Sequence, residues 1–147
     1  MMIYIGSDHG GFDLKESVKA HLEQCSIAFE DLGTFSDESC DYAIIAKKVA
    51  DAVVKSENNL GLLFCGTGVG ISIAANKVQG VRAACCSDCF SAKMTREHNN
   101  SNILCLAGRV VGTGLANELV DLFLDSPFSN EDRHQRRIDQ ITQIEIR

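Results

Sequence analysis

Apolar and polar residues follow two alternating patterns along this chain. Short apolar runs are typical of strands buried on both faces, and they predict five strands, at residues 2–5, 27–32, 60–64, 81–87 and 103–107. Between these runs apolar residues recur every three or four positions, as in helices with one buried face. That spacing, with a run of small residues at 72–76, predicts six helices, at residues 14–25, 41–56, 72–76, 88–97 and 114–124 and from Glu131 onwards.

The apolar side of each long helix identifies the side chains that we expect to be buried. They are Leu14, Val18, Leu22 and Cys25 in the first helix, Ile45, Ala46, Val49 and Val53 in the second, and Leu115, Leu119, Leu122 and Phe123 in the fifth. In the last helix Ile138, Ile141 and Ile144 share one side.

Strands that alternate with helices predict a three-layer αβα, Rossmann-like α/β fold, with a five-stranded parallel sheet covered on both faces. No repeat or linker interrupts the pattern, so residues 1–147 are predicted to form a single domain. In such folds the ligand lies outside the carboxyl ends of the strands. We therefore expect the polar loops at residues 6–11, 65–70 and 108–112 to meet at the functional site.

Charge and hydropathy exclude two classes of partner. The net charge of −6 argues against nucleic acid, which requires a basic surface. No apolar stretch approaches the ~20 residues that span a bilayer, so we expect no membrane association. The first residues lack the basic region and long apolar core of a signal peptide, which favours a cytoplasmic protein.

The seven cysteines do not suggest disulfides, because their number is odd and no export signal precedes them. Cys86 and Cys89 form a lone C-x-x-C without the second ligand pair that a structural zinc site needs. We therefore expect no metal. Four of the cysteines fall in apolar runs and are predicted to be buried as small hydrophobic residues: Cys25, Cys85, Cys86 and Cys105.

The loop from Cys65 to Gly70 carries the strongest chemical signal. A cysteine ends a buried strand, and Gly66, Gly68 and Gly70 follow before a helix. Free backbone N–H groups and the helix dipole favour an anion at such a turn, including a thiolate. The glycine spacing is not a dinucleotide fingerprint, no Gly-Lys-Ser/Thr follows as in a P-loop, and Ile71 stands where a cysteine phosphatase has arginine. A tight turn with an inert cysteine stays possible at this point.

Three further groups of residues could contribute to a site. Asp8 and His9 follow the first strand, His98 and Asn99 end the fourth helix, and Arg133 and Arg137 lie one helical turn apart in the last helix. Paired guanidinium groups suit a phosphate. Each group also has a plainer interpretation, as a helix cap, a histidine at a helix terminus and a solvated face.

Several motifs occur in the order found in a known family. Together they resemble ribose-5-phosphate isomerase of type B, in the sugar-phosphate isomerase family that also includes galactose-6-phosphate isomerase subunits. The motifs are Ser7-Asp8-His9-Gly10-Gly11-Phe12-x-Leu14-Lys15, Asp31-Leu32-Gly33-Thr34, Asp41-Tyr42, Cys65-Gly66-Thr67-Gly68-Val69-Gly70, Ala74-Ala75-Asn76-Lys77, Arg96-x-His98-Asn99 and Gly108-Arg109-Val110.

The resemblance implies reversible conversion of D-ribose 5-phosphate into D-ribulose 5-phosphate, a step of the pentose phosphate pathway, without metal or cofactor. It also implies a homodimer or a dimer of dimers, with active sites at the subunit interface and a C-terminal helix that extends to the partner subunit. By matching position, the catalytic residues would be Cys65 as the base, Thr67 with the loop backbone around the enediolate, and Asp8 and His98 for ring opening.

The same resemblance assigns the substrate contacts. Tyr42 and Asn99 would contact the sugar, and the loop backbone would hold the enediolate through Gly66, Gly68, Val69 and Gly70. His9, Arg109, Arg133 and Arg137 would bind phosphate, some of them from the partner subunit.

Two positions depart from the family pattern, and other functions stay open. Ala43 stands where members often have proline, and Ile71 stands where some members that lack the cysteine have a glutamate base. The runner-up function is isomerisation of allose 6-phosphate or galactose 6-phosphate. A sugar-phosphate sensor without activity and a flavodoxin-like electron carrier are further alternatives.

Overall fold

The computed structural model describes residues 1–145, within which five strands form one sheet in the order β2-β1-β3-β5-β4. All neighbouring strands are parallel, as predicted. The strands are β1 (Ile3–Ser7), β2 (Phe29–Asp31), β3 (Leu60–Cys65), β4 (Ala83–Cys85) and β5 (Ile103–Ala107).

Helices cover both faces of the sheet, which confirms the three-layer αβα architecture. They are α1 (Phe12–Gln24), α2 (Tyr42–Val53), α3 (Val69–Ala75), α4 (Cys89–Asn99), α5 (Thr113–Asp125) and α6 (Asp132–Glu145). One core joins the sheet to α1 and α5 through side chains such as Val18 and Phe123, and a second joins it to α2 and α3 through Val49 and Ile71. None of the helices within residues 1–145 is long and apolar enough to cross a membrane.

Strand length follows position in the sheet. β3 and β5 are buried along their whole length at the centre, so their apolar runs predict them closely. β2 and β4 lie at the edges and have only three residues each, fewer than the predicted runs at 27–32 and 81–87. An edge strand has a neighbour on one side only, so fewer of its residues are held in the ladder.

Several predicted core residues are not buried. Cys25 caps the end of α1 and is exposed, and Cys85 at the edge of the sheet is exposed too, whereas Cys86 and Cys105 are buried as predicted. Leu115 is 37% exposed because α5 turns Ala116, Leu119, Val120 and Phe123 toward the sheet. Leu122 is half-buried. In α6 only Ile138 of the three predicted isoleucines is buried, while Ile141 and Ile144 are 41% and 67% exposed.

The direction of the helices decides which edge of the sheet each loop reaches. β1, β3 and β5 end at one edge, called here the carboxyl edge. α4 starts beside the end of β4 and returns to the opposite, amino edge, where β5 begins at Ile103. α6 packs against α4. Residues at the end of α4 are therefore separated from residues at the end of β3.

Candidate active site

Three loops meet at the carboxyl edge, as the sequence predicts. The backbone N–H of Asp8 donates to the carbonyl of Phe64 at 3.1 Å, which joins the loop after β1 to the end of β3. The N–H groups of Gly108 and Arg109 donate to the carbonyls of Cys65 and Gly66 at 2.8 and 3.0 Å, which joins the loop after β5 to the same place. The three loops thus form one continuous hydrogen-bonded surface.

Cys65 is fixed by its own loop. Its side chain is 4% exposed, and Sγ accepts a hydrogen bond from the backbone N–H of Gly68 at 3.1 Å. Gly68 has φ +74°, a left-handed conformation that favours glycine.

Thr67 and the start of α3 complete the loop. The backbone N–H of Val69 donates to Thr67 Oγ1 at 3.3 Å, which holds the threonine hydroxyl at the first turn of the helix. The first N–H groups of a helix have no partner within the helix. Those of Gly68 and Val69 are bonded to Cys65 Sγ and Thr67 Oγ1, which leaves the N–H of Gly70 as the donor in this turn that an oxyanion could use.

Asp8 is 6% exposed, and its Oδ1 accepts from the backbone N–H of Gly11 at 3.1 Å. This bond closes the turn before α1 and is not the helix cap of the plainer interpretation, because the N-cap residue of α1 is Gly11 and no side chain caps it. Asp8 also lines a cavity of ≈ 610 Å³ at the carboxyl edge. Its companions there include His9, Cys40, Tyr42 and Arg109.

The backbone fixes the tautomer of His9. The N–H of Cys40 donates to His9 Nδ1 at 3.2 Å, so a neutral imidazole carries its proton on Nε2. His9 therefore offers an N–H donor, the group that binds a phosphate or hydroxyl oxygen. The sequence gives no signal for this contact, because the donor is a backbone group in an irregular loop.

Tyr42 and Arg109 lie against the cysteine loop. A methyl group placed on Gly70 would lie 2.8 Å from Cζ of Tyr42, and one placed on Gly66 would lie 3.0 Å from Nη1 of Arg109. Both glycines thus allow a side chain from another element to lie directly on the loop. The carboxyl-edge cluster, as we name it, consists of Asp8, His9, Tyr42, Cys65, Thr67 and Arg109.

The remaining predicted residues form a second cluster at the amino edge. His98 lies in the last turn of α4, and its ring stacks on that of His134 at 4.4 Å between centroids. His134 is 4% exposed, and its Nδ1 lies 2.6 Å from Ser129 Oγ. Burial, His98 and Arg133 lower the pKa of His134 below its ordinary value. The amino-edge cluster consists of His98, Asn99, Arg133, His134 and Arg137.

The structure does not bring the two clusters together within one chain. Gly61 pairs with Ile103, and Cys65 pairs with Ala107 four residues further along β5. At about 3.3 Å per residue the sheet separates the two edges by about 13 Å. Asp8 and His98, which the resemblance assigns to one ring-opening pair, therefore lie at opposite edges of the same chain.

Sequence reasoning missed three features of these clusters. They are the backbone N–H of Cys40, the side chain of His134 and the thiol of Cys85. His134 lies four positions before the buried Ile138, on the same side of α6. Cys85 Sγ would lie 2.9 Å from a methyl group on Gly68, which places this thiol beside the cysteine loop. Only His134 had a signal in the sequence, its helical spacing to Ile138.

Among residues 1–145 no three His, Cys, Asp or Glu side chains are grouped so that they could hold a metal ion. The C-x-x-C pair has no further ligand grouped with it among these residues. Burial, Cys85 and Asp88 raise the pKa of Cys86 to about 11, and burial and Glu118 raise that of Cys89.

Comparison with known proteins gives concordant matches over almost the whole chain. The profile of the Ribose/Galactose Isomerase family matches residues 3–141. The chain is 48% identical over 145 residues to ribose-5-phosphate isomerase B of Escherichia coli, covering 99% of this chain and 97% of the relative. It is 44% identical over 146 residues to a putative sugar phosphate isomerase of Bacillus subtilis, with the same two coverages of 99% and 97%.

Solved structures agree with the fold. Ribose-5-phosphate isomerase B of Clostridium thermocellum superposes with a TM-score of 0.96 at 48% identity, covering 99% of this chain and 98% of that one. The Mycoplasma genitalium enzyme of the same name, solved with bound ribulose-5-phosphate, superposes with a TM-score of 0.93 at 44% identity. It covers 99% of this chain and 96% of the relative.

Proposed function

This chain belongs to the ribose/galactose isomerase family, and we propose that it interconverts D-ribose 5-phosphate and D-ribulose 5-phosphate with Cys65 as the base. The observation that carries the proposal is the position of Cys65. Its sulfur lies at the carboxyl edge, receives the N–H of Gly68, and shares a hydrogen-bonded loop surface with Asp8 and Arg109. The relative with bound ribulose-5-phosphate supports the choice of a five-carbon substrate.

The chemistry requires a base and an anion site in one place. The Cys65 thiolate removes the proton from C2 of the open-chain aldose, and the electron pair moves to the carbonyl oxygen to give an enediolate. A proton then passes from O2 to O1, the C2 carbonyl forms, and the thiol returns its proton to C1, which gives the ketose and restores the thiolate. Thr67 and the N–H groups of Gly66–Gly70 stabilise the enediolate, and one such donor contributes about 3–4 kcal/mol, or 10²–10³ in rate.

The phosphate would be held by groups at the mouth of the cavity. His9 presents Nε2–H because Cys40 occupies Nδ1, and the guanidinium of Arg109 lies beside Gly66. The bond from Cys40 orients the His9 donor before substrate arrives. Tyr42, packed against Gly70, forms the wall that contacts the sugar.

Ring opening requires a second chain in this proposal. Asp8 acts at the carboxyl edge, and the partner subunit's His98 supplies the other proton-transfer group, with Asn99, Arg133 and Arg137 of the partner subunit around sugar and phosphate. Two observations support such a homodimer, or dimer of dimers. These groups lie at the amino edge, which the sheet separates from Cys65 by about 13 Å within one chain. Exposed apolar side chains also flank the carboxyl edge on the packed helices α2 and α3: Tyr42, Ile44, Val69 and Ile73.

In this dimer α6 extends toward the partner, which accounts for the exposure of Ile141 and Ile144. We also place the enzyme in the cytoplasm. All seven cysteines are unpaired thiols, as is usual in a reducing compartment.

The test is conversion of D-ribose 5-phosphate by the wild-type chain and by Cys65→Ala, with Cys25→Ala as a control because Cys25 is an exposed thiol outside the site. We expect turnover by the wild type and the control. We expect kcat to fall by about 10²–10⁴-fold in Cys65→Ala, the usual contribution of a general base. Binding of inorganic phosphate should survive in that variant.

Allose 6-phosphate and galactose 6-phosphate are assayed in parallel. Activity confined to a six-carbon substrate would keep the mechanism and replace the substrate. No activity on any of the three would leave a sugar-phosphate sensor, and near-normal turnover by Cys65→Ala would remove Cys65 as the base.

A further inference from the structure

Lys15 in α1 is completely buried, although lysine is almost never buried unless it is paired. Its ammonium has three N–H donors and three close acceptors. Nζ lies 2.9 and 2.8 Å from the two carboxylate oxygens of Asp31 and 2.5 Å from the carbonyl oxygen of Thr34. The rings of Phe12 and Phe35 lie 5.4 and 5.3 Å from the ammonium and close the pocket.

The acceptors of Lys15 lead directly to the candidate site. The peptide between Gly33 and Thr34 makes two hydrogen bonds with Ser7, which receives the Thr34 N–H at 2.8 Å and donates its own N–H to Gly33 at 2.7 Å. Ser7 is the residue before Asp8. The chain beyond Thr34 continues to Cys40, whose N–H holds Nδ1 of His9. Lys15 is thus bonded to the start of the segment that fixes the imidazole.

We propose that Lys15 is a positioning residue for the phosphate-binding end of the site. By bonding to Asp31 and to the Thr34 carbonyl it fixes the 34–40 segment, and that segment keeps the proton of His9 on Nε2. The proposal rests on the proposed function in so far as His9 binds the substrate phosphate. Its structural part, the dependence of the His9 tautomer on Lys15, stands without that function.

Stability alone does not explain a lysine at this place. An apolar side chain of similar length can pack between Phe12 and Phe35, and replacement of a buried ion pair by neutral groups is often neutral or stabilising. What an apolar side chain lacks is the third donor, which reaches the carbonyl of Thr34. That bond joins α1 to the segment that ends at the site.

The test compares Lys15→Met, the double variant Lys15→Met/Asp31→Asn and the control Lys19→Met. The double variant removes both charges, so it leaves no unpaired buried ion, and its new amide can still accept from Gly33 as Asp31 does. Lys19 is the matched control because it also bonds to Asp31, at 2.8 Å, but makes no contact with Thr34. All variants are first checked for cooperative unfolding.

Two readouts separate positioning from packing. The ¹⁵N chemical shift of His9 Nδ1 reports whether this atom still accepts a hydrogen bond. KM for D-ribose 5-phosphate is compared with kcat. We expect the folded double variant to lose the acceptor signature of Nδ1 and to raise KM about tenfold, a loss of about 1.4 kcal/mol in binding, with little change in kcat. Lys19→Met should leave both readouts as in the wild type.

A folded double variant with wild-type KM and an unchanged His9 signal would overturn the proposal. The NMR readout uses the protein without substrate. A wild-type chain that fails to isomerise ribose 5-phosphate would therefore overturn the proposed function, while the His9 signal would still decide the role of Lys15.

Discussion

Gly70 has no room for a side chain, because the ring of Tyr42 lies against it. An added methyl group would lie 2.8 Å from Tyr42 Cζ, closer than carbon atoms approach in folded proteins. Tyr42 is 43% exposed, so its ring can move outward at little cost in stability. The same movement removes the wall that we assign to the sugar.

We therefore predict that Gly70→Ala lowers kcat/KM by about tenfold, or about 1.4 kcal/mol, while the free energy of unfolding changes by less than about 1 kcal/mol. Steady-state kinetics and urea unfolding measure the two effects. Gly114→Ala is the control, because nothing lies within 4 Å of a methyl group at that position. Equal kinetics in the two variants would argue against a role for Tyr42 at the site.

At the level of single residues, the sequence predicted those site residues whose position follows from the order of strands and helices along the chain. Cys65, Asp8 and Arg109 follow buried strands, so their loops had to meet at the carboxyl edge. Backbone contacts such as that of Cys40 with His9 could not be predicted, because they do not depend on which side chain the donor residue carries. Lys15 stands in the first helix between the buried Leu14 and Val18. A polar residue in an amphipathic helix is expected to face solvent, so only the structure shows that Lys15 is buried.

Between elements, the ion cluster that joins α1 to β2 makes stability depend on pH. Burial raises the pKa of Asp31, but hydrogen bonds from Lys15, Lys19 and Gly33 outweigh that effect and hold the pKa below its ordinary value of 3.8. The folded state therefore binds fewer protons than the unfolded state in this range. The stabilisation is fully present above pH 3.8 and is lost as pH falls through the lower pKa of the folded state.

We predict that Asp31→Asn lowers the free energy of unfolding by about 3 kcal/mol at pH 7, because it leaves the Lys15 ammonium without its carboxylate. The difference from wild type should shrink steadily below pH 3.8. Denaturant unfolding at pH 7, 5 and 3 measures it. Asp51→Asn, which breaks an exposed pair with Lys47, should cost about 0.5 kcal/mol or less throughout. A pH-independent difference for Asp31→Asn would contradict the assignment.

The boundaries of the elements were predictable where burial is continuous and less so elsewhere. β5 was predicted at its observed ends because each of its residues is buried. α3 starts at Val69, three residues before the predicted start at residue 72. The prediction was late because Gly70, in the first turn of the helix, has low helix propensity and is more typical of a loop. The short β2 and β4 reflect their edge positions, which depend on the strand order and not on local pattern.

For the whole molecule, the division of the proposed site between two edges predicts complementation between inactive variants. A dimer of one Cys65→Ala chain and one His98→Ala chain has one doubly impaired site and one intact site. Random reassociation makes about half of all dimers mixed, so activity should return to about a quarter of wild type. The measurement is turnover after the two variants are unfolded together and refolded.

Cys65→Ala mixed with Thr67→Ala is the matched control. Both residues belong to the same edge, so no mixed dimer has an intact site, and no recovery is expected. Failure of the first mixture to exceed either variant alone would contradict a site shared between chains. The family resemblance implied this sharing, but the residue pattern could not, because helical and strand periodicity describe how one chain buries its own surface and carry no information on a second.

Cys85 provides a thiol beside the proposed site that has no part in the proposed reaction and could be modified covalently. Its sulfur is next to Gly68 at the surface of the cysteine loop, yet burial and the neighbouring Cys65 raise the pKa of the Cys85 thiol. Little thiolate forms at neutral pH, so general alkylating reagents react slowly there. An electrophile delivered by a fragment that first docks on the cysteine loop gains residence time beside this thiol. Covalent tethering at Cys85 is thus a route to inhibitors that leave Cys65 unmodified.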